Sequence, residues 1–401
     1  MPKLLIINVT CNQGSTGKIA EQVGLLMRKN GWDVYYAHGA RRVNPSQLKT
    51  IPFSSVPSEY IHALQSRLFD ADGLCSTFET KRLVRMIKEI QPDMVHIHNI
   101  HGYYLNYRLL FAYLNSTNIQ VVMTLHDCWT FTGHCHFFDI VECEKWQARC
   151  DECPLIRHNL KTSLIDRSAR NYALKKVLFT GNHNLHLVPV SEWLGGLLSK
   201  SFLKNEDISV IQNGVDMSVF KPYPRSRSDK FRILGVSNIW SKRKGLYDIV
   251  KLRGVLNIDD FEITLVGLSQ NQIKKLPAGI TGIERTDNQE SLAKLYSDSD
   301  VLINPTYADT FPTVNLESLA CGTPVITYRT GGSPEAIDNK TGVVVEQGDV
   351  SALANAIICM KENPLSPNDC RKRAEEHFDK DKCFGKYLSL FNELLNKGKQ
   401  A

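Results

Sequence analysis

Residues 300–337 read DVLINPTYADTFPTVNLESLACGTPVITYRTGGSPEAI. Val301–Ile303 is a short apolar run with the length of a buried strand. A loop follows, and then Pro312. Thr313-Val314-Asn315-Leu316-Glu317 starts a helix, with proline in the first turn, where its missing N–H does no harm. A second strand is expected at Pro324–Thr327. Strand, helix, strand in this order argues for α/β architecture with parallel pairing.

The same alternation runs outward in both directions. Upstream strands are expected at Leu4–Val9, Val34–Ala37, Met94–Ile97, Val121–Leu125, Leu187–Val190 and Ser209–Ile211, then at Arg232–Val236, Glu262–Val266 and Ile280–Ile283. Helices such as Lys18–Asn30, Lys81–Ile90 and Ser291–Ser297 lie between them. The strand–helix series starts twice, at Lys3 and at Arg232. The turn-rich stretch Asn213-Gly214-Val215-Asp216 and Phe220-Lys221-Pro222-Tyr223-Pro224 separates the two series. Residues 1–205 are expected to form one Rossmann-like domain and 206–379 a second. A last helix has apolar residues Phe384, Tyr387, Leu388, Leu390, Phe391 and Leu394 at helical spacing. No strand follows it, so 380–401 is expected to pack back on the first domain. Two doubly wound domains facing each other would hold a ligand in the cleft at their strand C-termini.

Composition narrows the class. The chain has 401 residues, a size that suggests two domains. Hydrophobic residues are 42% and charged residues 22%, which excludes a disordered chain. A net charge of +6 is too mild for a nucleic-acid binder and suits an anionic small substrate or a peripheral membrane contact. No apolar stretch is long enough to span a bilayer, and the N-terminus lacks a signal peptide's pattern. A cytoplasmic protein, at most peripheral on the inner face of the plasma membrane, is expected. Eleven cysteines, mostly scattered, do not suggest a disulfide framework there.

The first strand leads into NVTCNQGSTGKIAEQ, residues 8–22. Gly17-Lys18 imitates a Walker A loop. Asn12 stands where its first glycine is required, and Ile19 replaces the magnesium-binding hydroxyl, so a kinase or ATPase is excluded. Gly14, Ser15, Thr16 and Gly17 read instead as a turn at the cleft, opening a helix whose free N–H groups suit an anion.

The stretch 300–337 also resembles the donor-binding signature of retaining glycosyltransferases of family 4. That signature is an acidic residue, seven residues, Glu, a small-residue stretch, Gly-x-Pro-Val and then Gly-Gly-x-Pro-Glu. Supporting pieces follow in order along the chain: the first glycine turn, TLHD at 124–127, VPVSEW at 188–193, IQNGVDMSVFKP at 211–222 and KRKGLYDIV at 242–250. The resemblance implies the GT-B fold, a nucleotide-diphospho-sugar donor on the second domain, a saccharide or lipid-linked acceptor on the first, and retention of anomeric configuration. It looks most like the branch that builds bacterial capsule, exopolysaccharide or O-antigen. No cofactor is required for such transfer.

Residue by residue, the resemblance gives Glu317 to the donor ribose and Asp309 to the transferred sugar. Asp309 is one methylene shorter than the family's usual Glu. Lys244 matches the lysine that neutralises the leaving diphosphate. The family arginine is missing, with Ser237 and Asn238 in its place, and Arg243 could supply its charge. Phe311, Pro312, Thr313, Val314, Asn315 and Asn238 complete the expected donor contacts. Free amides at Thr313 and Val314 would meet a diphosphate, and a carboxylate at Glu317 accepts from a ribose diol. His126 would position the reacting centre, and His98, Asn99 and Asp127 are expected on the acceptor side. A charged cluster such as Lys242-Arg243-Lys244 is otherwise often a solvated surface, and a lone histidine is often structural.

CHFFDIVECEKWQARCDECP, residues 135–154, lies in an insertion at 128–160 that this pattern does not explain. Cys135, Cys143, Cys150 and Cys153 could close a structural zinc site that folds a loop with little core of its own. Buried thiols or a disulfide are the alternatives. Two other functions remain open: a nucleotide-sugar 2-epimerase of the same fold, and a sugar-nucleotide-binding subunit without activity.

Overall fold

A computed structural model describes residues 1–157 and 165–398. The end of the 128–160 insertion and the last three residues of 380–401 lie outside the described residues. The chain divides into two compact units, Met1–Ile211 joined by the segment from Phe384, and Gln212–Cys383.

The first unit holds a seven-stranded sheet of β1 (Lys3–Asn8), β2 (Asp33–His38), β3 (Lys49–Pro52), β4 (Met94–Ile97), β5 (Gln120–Leu125), β6 (Leu185–Pro189) and β7 (Asp207–Ile208). Its order is β3-β2-β1-β4-β5-β6-β7, and every pairing is parallel. Leu4, Leu5, Ile6 and Ile7 of β1 are all fully buried. A parallel sheet covered on both faces produces such a run, with no polar alternation.

The second unit holds β8 (Phe231–Val236), β9 (Phe261–Val266), β10 (Ile280–Ile283), β11 (Val301–Asn304), β12 (Val325–Tyr328) and β13 (Gly342–Val345). The order is β10-β9-β8-β11-β12-β13, again parallel throughout. Its core gathers Ile233, Leu265, Ile303 and Ile326 with Ile249, Leu252 and Ile357 from covering helices.

Each sheet reverses direction once, between β1 and β4 in the first unit and between β8 and β11 in the second. Loops leaving neighbouring strands at such a point diverge and open a crevice at the strand C-termini. The residues of interest lie on those loops, on the loop after the adjacent β5 and at the start of the helix that follows β11.

The closing helix Lys380–Gly398 completes the first unit. Phe391 packs on Trp32 and His96, with ring centroids 5.9 and 5.2 Å apart. Tyr387 shares a hydrogen bond of 2.9 Å with Thr124 of β5.

Several details differ from the sequence expectations. The first helix begins at Gly14, so Ser15, Thr16 and Gly17 form its first turn and are not a loop. Gly14 has φ +67°, which glycine adopts without strain, and this lets the chain turn directly into the helix. A Cβ on Gly17 would lie 2.6 Å from Thr10 Oγ1, so this glycine serves close packing. The last strand of the first sheet is Asp207–Ile208, displaced from 209–211. Edge strands β3 and β13 were not expected, because KTIP and GVVV are too short for periodicity to register.

Candidate active site

In the second unit, β8 runs into a loop ending in a short 3₁₀ turn, Lys242–Lys244, and then helix Leu246–Val255. Gly245 joins the two at φ +74°, and a Cβ there would lie 2.1 Å from the Pro305 carbonyl oxygen. Only glycine lets this loop press so closely against the one leaving β11. Three contacts follow from that approach. Tyr307 donates its backbone N–H to the Arg243 carbonyl at 2.7 Å. Arg243 donates through Nη1 to the Ala308 carbonyl at 2.6 Å. Lys244 Nζ donates to Asp309 Oδ2 at 2.5 Å, with both side chains mostly buried. Residues 65 positions apart in the chain thus form one charged pair beside the sheet's reversal point. Asn238 is exposed on the same loop after β8.

After Asp309 the chain enters helix Thr313–Ala320. Pro312 is its N-cap, one residue before the first turn, and it provides no side-chain cap. The first amides of an α-helix have no intrahelical acceptor. Thr313, Val314 and Glu317 are half-buried on that end of the helix. Tyr296 donates its hydroxyl to Glu317 Oε2 at 2.9 Å and holds the carboxylate in place.

Two expected donor contacts turn out to support the fold. The Phe311 ring is buried against Phe378, 5.9 Å between centroids. Asn315 is fully buried; its Oδ1 accepts from Asn304 at 2.9 Å and its Nδ2 donates to the Ser333 carbonyl. Asn315 fixes the helix to β11, and Phe311 fixes the residues before it to the end of helix Pro367–His377. Tyr296 was missed, because a tyrosine in an unremarkable helix shows its partner only in three dimensions. Asp248 was missed for the same reason. Its Oδ2 accepts from Tyr307 at 2.7 Å and from Tyr328 at 2.9 Å, tying helix Leu246–Val255 to the loop after β11 and to β12.

In the first unit, the loops after β4 and β5 gather four histidines. His98 Nδ1 and His126 Nε2 share a hydrogen bond of 2.9 Å, with stacked rings. Burial pushes His126 down to about 4 and His98 well below its ordinary range, so both rings are neutral at pH 7. A neutral imidazole offers one donor and one acceptor, which suits hydrogen bonding to a hydroxyl. Asn99 donates its backbone N–H to Asn8 Oδ1 at 3.4 Å, across β4 to β1. Asp127 is a hub. Its Oδ1 accepts from the Trp129 amide at 2.9 Å, and its Oδ2 faces His101 Nε2 at 2.9 Å and His136 Nδ1 at 3.4 Å. Burial opposes its charge, but His101 and His136 hold its carboxyl well below the usual range.

The profile described as Glycosyltransferase Family 4 matches residues 19–219, half of the chain. The chain belongs to glycosyltransferase family 4. The profile described as Glycosyl transferases group 1 matches residues 230–363, covering the loops after β8 and β11. This family 4 chain is 26% identical over 303 residues to the putative colanic acid biosynthesis glycosyl transferase WcaC of Escherichia coli, spanning 72% of each protein. It is 31% identical over 194 residues to a D-inositol 3-phosphate glycosyltransferase of Arthrobacter, covering 43% of this chain and 46% of that one. Among solved structures it is similar to sucrose-phosphate synthase from Thermosynechococcus elongatus, with TM-score 0.75, 19% identity, and 99% and 100% of the two chains covered. It is also similar to Anabaena HepE in complex with UDP-glucose, with TM-score 0.66, 14% identity, and 98% and 99% covered. These likenesses fix the fold as GT-B.

The insertion of this family 4 glycosyltransferase places Cys135, Cys143, Cys150 and Cys153 around one cavity of about 10 Å³, with Phe138 and Trp146 in its wall. Cys135 and Cys153 sulfurs are 3.3 Å apart, and Gly133 donates its amide to Cys150 Sγ at 3.2 Å. The hydrogen bond from Cys135 draws the Cys153 thiol down to about 7. The four thiols are separate, with no disulfide between them.

Proposed function

We propose that this protein transfers a sugar from a nucleotide-diphospho-sugar to a saccharide or lipid-linked saccharide, with retention of configuration, in building a bacterial surface polysaccharide. The observation that carries the reading is the Lys244–Asp309 pair at the reversal point of the second sheet, with Arg243 fixed beside it. When the glycosidic bond to the diphosphate breaks, negative charge develops on the leaving phosphate. Cations already held in place stabilise that charge without reorganising. In this reading Lys244 exchanges Asp309 for the diphosphate when donor binds, and Asp309 is released toward the sugar hydroxyls. The uncapped amides of Thr313 and Val314 receive the diphosphate. Glu317, held by Tyr296, accepts from the ribose diol. The first unit takes the acceptor, with neutral His126 and His98 as its polar contacts to sugar hydroxyls.

Peripheral membrane contact belongs to the same reading. Val56, Tyr60, Ile61 and Leu64 form an exposed apolar stripe on helix Val56–Phe69, and Lys81, Arg82, Arg85 and Lys88 are exposed on helix Thr77–Ile90. A structural metal at the four cysteines belongs to it too, supported by their common cavity, which has room for a single atom-sized occupant.

A thermal-shift screen against nucleotide sugars tests the donor. One nucleotide series should raise Tm in a concentration-dependent way, and Lys244→Ala should abolish the rise. No stabilisation by any nucleoside diphosphate sugar would sink the reading. Retention is read from the anomeric proton of the product by NMR.

A further inference from the structure

Among the described residues, one group of three metal-binding side chains has donor atoms all within 4.8 Å of one another, and it is not the cysteine set. It is Asp72, His101 and His136. They come from three separate segments: the loop after helix Val56–Phe69, the loop after β4, and the cysteine-bearing insertion. Asp72 is 5% exposed. Its Oδ1 accepts from the Gly102 amide at 3.3 Å. Its Oδ2 is buried with no hydrogen-bond partner, and so is His136 Nε2. These two atoms are 3.9 Å apart, too far for a hydrogen bond. Two ligands on one tetrahedral zinc ion lie roughly 3.4 Å apart, given metal–ligand bonds of about 2.0–2.2 Å. A shift of about half an ångström would therefore seat an ion between them. Leaving both unpaired carries a large desolvation cost.

Asp127 supplies what such a site needs behind its ligands. A metal-binding histidine gives its second ring N–H to a carboxylate, which fixes the tautomer and turns the other nitrogen's lone pair to the metal. Asp127 Oδ2 faces His101 Nε2 and His136 Nδ1 together. The nitrogens left over are His101 Nδ1 and His136 Nε2, the latter being the orphan that faces Asp72. The backbone at His136 is itself tied down, since Cys128 donates its amide to the His136 carbonyl at 2.9 Å.

We propose that Asp72, His101 and His136 bind a divalent transition-metal ion of the zinc type, with Asp127 orienting both imidazoles. Two imidazoles and one carboxylate suit such ions. Three protein donors leave a coordination position for water or a sugar oxygen. The site lies on the loops beyond the C-terminal ends of β4 and β5, and Asp127 behind its ligands directly follows His126.

The test is metal analysis of the purified full-length protein, incubated with zinc or cobalt(II) and then desalted. Asp72→Asn and His136→Gln preserve side-chain shape; circular dichroism and Tm check that they fold. Cobalt bound at this site gives only weak visible ligand-field bands, whereas cobalt at the cysteines gives intense thiolate charge-transfer absorption. One equivalent should persist in Cys143→Ser with the weak spectrum alone. It should be lost in Asp72→Asn and His136→Gln, and Asp127→Asn should weaken affinity about 10- to 100-fold. The proposal is overturned if Cys143→Ser retains no metal. It is equally overturned if folded Asp72→Asn and His136→Gln keep the wild-type metal content and spectrum.

Discussion

At the scale of single residues, Lys244 and Asp309 make opposing demands. In the proposed reaction the carboxylate neutralises the cation that the leaving diphosphate would need. Asp309→Asn should therefore bind a nucleoside diphosphate more tightly than wild type while transferring sugar more slowly, and calorimetry and a turnover assay read the two effects separately. Lys244→Ala should lower turnover by about 10²–10³-fold, the range for removing one preorganised charge-stabilising donor. Glu317→Ala should cost about 10- to 100-fold, chiefly in KM, from loss of a charged hydrogen bond. The histidines add a pH signature. His126 is held near 4, below its ordinary 6.5, so the unfolded chain binds the proton first as pH falls. Its contribution to stability is complete above about 6.5 and is lost as pH falls toward 4. Tm measured across that window should fall less steeply in His126→Asn than in wild type; equal slopes would contradict the assignment.

At the scale of elements, the loops leaving β8 and β11 depend on one glycine. Gly245→Ala meets both a positive φ and the Pro305 carbonyl. It should destabilise the protein by about 1–3 kcal/mol and lower nucleotide affinity by pushing Arg243 and Lys244 away from the loop after β11, out of the positions in which the proposed reaction uses them. Chemical denaturation and calorimetry together check this. The exposed stripe on helix Val56–Phe69 makes a separate prediction. Binding to anionic vesicles should weaken as salt rises and should be lost in Ile61→Glu/Leu64→Glu, with no change in Tm. Sedimentation that the double substitution leaves intact would exclude the stripe as the contact.

At the scale of the whole molecule, much of the fold could be read from the sequence because buried parallel strands are short apolar runs between helices. Met94–Ile97 and Ile280–Ile283 match their expected bounds residue for residue. The loops after β8 and β11 stood out in the sequence because their signals are local: Lys244 beside Gly245, and Glu317 one turn into a helix. What could not be read depends on long-range approach. Nothing near Tyr296 in sequence points to Glu317. Nothing near Asp72 points to His136, 64 positions away. Asn315 and Phe311 lay within the motif, yet their burial was invisible until the helix was packed. Ser15, Thr16 and Gly17 read as a loop because small residues suit turns and helix starts equally.

The bond between Thr124 and Tyr387 spans 263 residues of chain. During synthesis at about 5–20 residues per second, some 13–50 s separate the emergence of those two partners. For that interval β5 and His96 lack their covering aromatic helix, whereas the second unit, contiguous from Gln212 to Cys383, is complete as soon as its own last residue emerges, before that helix does. The half that leaves the ribosome first is therefore the last to be finished, and a nascent chain stalled before Phe384 would carry an open apolar face for chaperones to bind.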